Sequence, residues 1–320
     1  MTTVVHPTAI VDPSARLGHG VEVGPWAMIG PQVTVGDRCR LGPRSRLVRN
    51  VRLSDDVSVG DGSILGGDPQ DLKYRDEETW VEVGAGTIIR EYTTVNRATS
   101  QSYRTVIGAR CFIMTYVHLA HDCHIGDDVT IANGTQCAGH VTIHDRAVLS
   151  GLNAVHQFVT IGTYAFVGGG SRVNQDIPPY VKAVGNPMEL YGLNSIGLQR
   201  AGFSGDTIAA LKRAYRLFFN SELNLSQALE RARSDLPGSP EVERFLAFVE
   251  SSERGVPALA GSGSGLSASA RSAGITRGTW PRWTRPSWWA CSTPTRHARR
   301  PWRVSSAPPP FPISRGCSPG

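Results

Sequence analysis

Four histidines and one aspartate stand at spacings that would bring them together if residues eighteen apart were neighbours. Eighteen residues beyond His121 is Gly139 and eighteen further is Gln157, while eighteen beyond Asp122 is His140; His156 precedes Gln157, and His118 lies half a hexad upstream of His121. Imidazoles and a carboxylate on one corner allow three kinds of role. One is general base catalysis, in which an imidazole oriented by a neighbour removes a proton from a substrate hydroxyl. A second is a metal site, with His140, His144 and His156 as the candidate three-histidine set. Against it, His140 and His144 occupy different parts of the repeat and face different directions. The third is structural, with His124 and His144 filling an interface between subunits.

The spacing of eighteen comes from the element that must position these residues. From Val5 to Val173, 26 positions share one six-residue register, and 25 of them are Val, Ile or Leu; the exception is Cys137. Helices repeat at 3.6 residues and half-buried strands at 2, so a period of six over this length fits neither alone. It fits a β-solenoid, in which each hexad is a short strand plus a turn and three hexads make a triangular coil with the aliphatics inside. Residues eighteen apart then stack about one strand spacing, roughly 4.8 Å, apart. Glycines such as Gly18, Gly24, Gly30, Gly36, Gly42 and Gly60 follow the aliphatic where the turn tolerates no bulky side chain.

The register fails at Asp71 and Glu77 and resumes intact at Val83. We therefore expect the polar run from Gly66 to Trp80 to be a loop pushed out of the coil, a common place for binding residues. A second failure at Gln101 predicts a shorter excursion near residues 98–105. Pro178 and Pro179 are expected to end strand pairing. A helical region follows, with Ser204 capping a helix over Thr207–Phe219 whose apolar face is Ile208, Leu211, Tyr215 and Leu217 or Phe218; further helices are expected over 226–232 and 240–250. The expected organisation is a mainly β chain, with a solenoid over 1–189, a small helical domain over 190–253 that covers the last coil, and a tail over 254–320.

That tail accounts for the net charge of +6, because it carries ten Arg and no Lys, Asp or Glu. We read it as disordered or out of frame, over the alternative of a basic aromatic arm for nucleic acid or a membrane. No partner nucleic acid and no membrane insertion are expected, since no secretory segment and no run of about 18 apolar residues occurs; the expected location is cytoplasmic. The six cysteines form no CxxC pair and are expected to be reduced.

Six runs carry a resemblance: VHLAHDCHIG (117–126), QCAGHVTI (136–143), NAVHQF (153–158), GGDPQDLKY (66–74), DIPPYVKAVGNP (176–187) and GLNSIGLQRAGF (192–203). Taken in chain order they resemble the acyl carrier protein-dependent UDP-N-acetylglucosamine O-acyltransferases of lipid A synthesis, over residues 4 to about 255. The resemblance implies a left-handed parallel β-helix with a C-terminal α-helical domain, a homotrimer, and sites in clefts between subunits. It implies that His121 is the base acting on the glucosamine 3-hydroxyl, that Asp122 orients it, and that the Gly139 N–H stabilises the oxyanion. The acyl donor is a 3-hydroxyacyl thioester on acyl carrier protein, and neither cofactor nor metal is implied.

By the same resemblance His118, His140 and Gln157, with His156 beside them, hold the sugar. Gln70, Asp71 and Lys73 reach substrate from across the interface, and Asn194 and Arg200 contact the nucleotide. Gly169, with Phe166 nearby, limits acyl length and leaves room for a long chain. Two departures bear on nucleotide affinity: Ile196 stands where some members have an acidic residue, and Ala201 where they have a second arginine. The alternatives are a related UDP-acylglucosamine N-acyltransferase, whose additional N-terminal domain has no counterpart before the hexads at Val5, a trimeric zinc carbonic anhydrase on the same fold, and a non-catalytic solenoid.

Overall fold

A computed structural model describes residues 2–221, 223–236 and 238–259. From the strand Glu22–Val23 onward each hexad places its aliphatic inward and the preceding residue outward, as in Met28–Ile29 and Thr34–Val35, where the first residue is exposed and the second buried. Strand follows strand around three parallel sheets, and pairing is between residues eighteen apart, as in Val5 with Val23, Val11 with Ile29 and Leu17 with Val35. The inward residues from Val21 to Val173 form one continuous apolar column inside the coil.

Turn residues adopt left-handed backbone angles at every sixth position, among them Trp26, Gln32, Arg38, Arg44, Asn50 and Asp56. Such angles are unfavourable for residues with a Cβ. Stacking supplies the compensation: Asp56 N–H donates to the Asp37 carbonyl at 2.8 Å, and His140 N–H to the His121 carbonyl at 3.0 Å. The glycines after the aliphatics serve a different need from turn conformation. A Cβ on Gly24 would lie 2.8 Å from the Pro43 nitrogen, and one on Gly60 2.7 Å from the Arg90 carbonyl carbon, so they permit coils to approach one another.

Both excursions occur. Val83 pairs with Leu53, thirty residues earlier, because the loop after the strand Ile64–Gly67 lies outside the coil until Trp80. Leu119 pairs with Val95, twenty-four residues earlier, because a second insertion separates the strands Thr94–Asn96 and Arg104–Ile107.

Strand pairing does not end at the prolines. Val181–Val184 pairs with Phe166–Val167, and Glu189–Leu193 then returns antiparallel to it. The reason is that Pro178 and Pro179 occupy the turn before the strand, where no ladder donor is needed. Four helices follow: α1 (Ser195–Arg200), α2 (Gly205–Phe219), α3 (Leu225–Asp235) and α4 (Pro240–Ser251). The Ser204 hydroxyl caps α2 by accepting from Thr207 N–H. The fully buried stripe of α2 is Ala210, Leu211, Ala214 and Tyr215, with Ile208, Leu217 and Phe218 only partly buried against it. α1 is too short for its periodicity to be read.

The Tyr215 hydroxyl accepts from Gly192 N–H, and Ser252 donates to Asp176, so the helices are tied to the last strands of the coil. Cys39, Cys111, Cys123 and Cys137 are buried and unpaired; of the expected tail over 254–320, Asp176 N–H donates to the Gly255 carbonyl at 2.9 Å and Ala258–Leu259 pairs parallel with Glu189–Leu190, while residues 260–320, with Cys291 and Cys317, lie outside the described residues. Among the described residues no helix is long and apolar enough to cross a membrane.

Candidate active site

His118 ends on the second sheet and the chain turns through Ala120, His121 and Asp122 toward the third. Asp122, His140 and Phe158 are the left-handed residues of three successive turns at this corner, at φ of 60°, 61° and 62°. His121, Gly139 and Gln157 form the adjacent column, linked by His140 N–H to the His121 carbonyl and Phe158 N–H to the Gly139 carbonyl.

The His121 Nδ1 lies 2.7 Å from Asp122 Oδ2. If Nδ1 carries the proton, Nε2 keeps its lone pair, as a base requires. Gly139 lies directly beneath this ring: a Cβ there would be 2.5 Å from His121 Cε1 and 2.7 Å from Nε2. The column therefore demands glycine at 139 for the sake of the imidazole.

Asp122 is buried, and its carboxylate accepts from donors of the second excursion. Thr99 N–H reaches both oxygens at 3.1 Å, Thr99 Oγ1 reaches Oδ2 at 2.8 Å, Ser102 N–H reaches Oδ1 at 3.2 Å, and Ser102 Oγ makes a short hydrogen bond to Oδ1. Burial by itself would raise the Asp122 pKa, but the hydrogen bonds from His121, Ser102 and Thr99 outweigh it and hold the carboxyl well below its ordinary range. The base is thus backed by a carboxylate that stays ionised.

The neighbouring imidazoles are shifted the other way. Burial lowers the pKa of His118, and the nearby His121 adds to the effect. Burial also lowers that of His140, partly opposed by the charges of Asp122 and Asp71. Both rings are therefore suited to hydrogen bonding as neutral groups at neutral pH. His118 Nδ1 pairs with Thr94 Oγ1 at 2.7 Å, and His140 stacks on Phe158 with centroids 4.4 Å apart and an interplanar angle of 5°. His156 and Gln157 are exposed, with the His156 ring against the Gln157 carbonyl.

Among the described residues the three ligand atoms that come within 4.8 Å of one another are those of His121, Asp122 and His140, and not the set His140, His144 and His156. His144 lies on the corner between the third and first sheets. The Asp122 oxygens already face N–H and O–H donors, so a cation would have to displace several hydrogen bonds to bind there.

The remaining predicted residues do not all gather at this corner. Gln70 and Lys73 are exposed on the first loop, and Asp71 Oδ1 accepts from Lys73 N–H. The Asp71 charge also bears on His140 of its own chain, opposing the fall in its pKa. Asn194 caps α1, its amide also donating to the Tyr164 carbonyl on the corner between the third and first sheets. Arg200 ends α1 and is exposed, as is Ile196, and Ala201 is the C-cap. Phe166 points outward from the first sheet, and Gly169 is exposed at the corner between the first and second. One chain thus distributes these residues over three edges of a prism. The residues that sequence reasoning missed are Thr99, Ser102, Phe158 and Thr94; Phe158 had a signal, two coils beyond Asp122, and so had Thr94, which precedes Val95 as His118 precedes Leu119.

Comparison with known proteins adds the following. The family described as UDP N-acetylglucosamine O-acyltransferase, domain 2, matches residues 176–257, and bacterial transferase hexapeptide repeats match residues 14–49 and 104–139. An acyl-(acyl-carrier-protein)–UDP-N-acetylglucosamine O-acyltransferase of Synechocystis is 46% identical over 191 residues, covering 60% of this chain and 69% of that protein. The crystal structure of a UDP-N-acetylglucosamine acyltransferase from Bacteroides fragilis superimposes with a TM-score of 0.78 at 37% identity, covering 79% of this chain and 99% of that one. The Arabidopsis UDP-N-acetylglucosamine acyltransferase gives 0.72 at 35% identity, over 80% and 100% of the two chains. The shared fold is the left-handed β-helix with a small C-terminal helical region.

Proposed function

The chain belongs to the acyl carrier protein-dependent UDP-N-acetylglucosamine O-acyltransferases, and from that membership we propose how its own residues carry the reaction. It transfers an acyl chain from acyl carrier protein to the 3-hydroxyl of UDP-N-acetylglucosamine, the first step of lipid A biosynthesis. The observation that carries the mechanism is the His121–Asp122 pair at 2.7 Å with Gly139 beneath the ring.

His121 Nε2 removes the proton of the sugar 3-hydroxyl as that oxygen attacks the thioester carbonyl. Asp122 holds the tautomer and stabilises the imidazolium that forms. The Gly139 N–H faces the developing oxyanion. Collapse of the tetrahedral intermediate breaks the carbon–sulfur bond, and the proton passes from His121 to the departing thiolate. His118, His140 and Gln157, with His156, hold the sugar, and Gln70, Asp71 and Lys73 close over it. The donor in this reading is a 3-hydroxyacyl thioester, and the location is cytoplasmic. Because Glu189–Leu193 pairs antiparallel with Val181–Val184, the helical domain in this reading begins after residue 193 and not at 190.

Phe166 on the first sheet, Gly169 at the corner between the first and second sheets and Asn194 beside Tyr164 stand apart from the His121 corner, so a single chain does not assemble the whole set. A homotrimer would bring the acyl-length face and the cap of one subunit against the base of the next. The test is complementation between variants. Arg200→Ala and His121→Ala proteins, each strongly impaired alone, are expected to regain activity when co-assembled, because some clefts then receive both native residues. A failure to regain activity in verified mixed trimers would refute the shared site.

A further inference from the structure

We propose that the segment Asn96–Ser102 is a single positioning element that ties the substrate loop to the catalytic carboxylate, with Arg97 and Ser102 as its two ends. The proposal rests on the active-site reading above. Among the described residues Arg97 heads the fully buried large side chains, with no exposed area, an unusual setting for a guanidinium. It holds the first excursion at three points: Nη1 donates to the Gly66 carbonyl at 2.5 Å, and Nη2 to Asp68 Oδ1 at 2.5 Å and to the Tyr74 hydroxyl at 2.9 Å. Backbone contacts reinforce this, from Arg97 N–H to the Gly67 carbonyl and from Asn96 Nδ2 to the Asp68 carbonyl, both at 2.8 Å. Gln70, Asp71 and Lys73 follow directly on the stretch so held.

Two residues beyond Arg97, Thr99 binds Asp122, and Ser102 completes the clamp. The intervening turn is closed on itself, Gln101 N–H donating to Thr99 Oγ1 and Tyr103 N–H to the Thr99 carbonyl. Both grips lie outside the hexad ladder, whose pairing continues in register across each excursion, Val83 on Leu53 and Leu119 on Val95. Both insertions instead meet through this one short segment, so displacing one end moves the other.

The experiment is a double-variant cycle on the full-length protein, with steady-state acylation of UDP-N-acetylglucosamine as the readout. Asp68 is chosen for the loop end because its side chain is 68% exposed, so Asp68→Asn weakens the Arg97 contact without opening the coil. Asp68→Asn is expected to raise KM for the nucleotide sugar about tenfold while kcat falls less. Ser102→Ala is expected to lower kcat about tenfold and to raise KM by a smaller factor of about threefold, and Ser102→Thr to restore both. Because residues in one hydrogen-bond network couple, the double variant should depart from the product of the single effects by at least about threefold. Effects that simply multiply, or a Ser102→Ala enzyme with parental kcat, would overturn the proposal while leaving the base assignment intact. An active His121→Ala protein would instead sink the active-site reading.

Discussion

Gly139→Ala tests the geometry at its tightest point. The added methyl would meet His121 at 2.5 Å from Cε1 and 2.7 Å from Nε2, about 1 Å inside ordinary carbon contact. The obstructing atoms are the end of a side chain, so the ring can swing away and the coil should survive. Swinging breaks the 2.7 Å contact with Asp122, a hydrogen bond to a charged group worth about 1.5–3 kcal/mol. Since each 1.36 kcal/mol corresponds to a factor of ten, kcat should fall about ten- to hundredfold, in line with the hundredfold that a misplacement of about 1 Å can cause. Acylation of UDP-N-acetylglucosamine would be measured alongside the thermal midpoint, which should move by only a few degrees. Parental kcat in a correctly folded Gly139→Ala protein would refute the claim that glycine is required there by the position of the imidazole.

His121→Ala should lower kcat by about 10²- to 10⁴-fold, the usual contribution of a general base, and a milder effect in steady-state kinetics would count against that role. Asp122→Asn keeps the volume but replaces one acceptor with a donor facing Thr99 and Ser102, so both activity and the thermal midpoint should fall. His118 and His140 have folded-state pKa values lowered by burial, so the unfolded chain binds more protons in acid. Their contribution to stability is present above about pH 6.5 and lost as pH falls through the folded values; His140→Gln should flatten the fall in thermal midpoint between about pH 7 and 5. Phe158→Leu removes the stack on His140, worth about 0.5–1.5 kcal/mol, and should raise KM for the sugar about three- to tenfold in the same assay. Treatment with a chelator should leave activity unchanged, because the Asp122 oxygens are already occupied by donors.

Much of this protein was legible before any coordinates. A strict six-residue register makes the triangular coil the consistent solution, and once residues eighteen apart stack, the meeting of His121 with Gly139 and of Asp122 with His140 is arithmetic. The same register exposes both excursions as interruptions. What it does not reach is anything whose position depends on how an excursion folds. Thr99 and Ser102 grip Asp122, and Arg97 is buried among Gly66, Asp68 and Tyr74, because two insertions pack against each other; no periodicity relates their residues. The strand after Pro179 was hidden for a related reason, since the prolines mark a turn whose continuation is set by pairing with Phe166 and Val167. Local repetition therefore determined the scaffold and the pairing of its columns, while the tertiary structure decided which polar groups clamp the carboxylate and which predicted residues lie on separate edges.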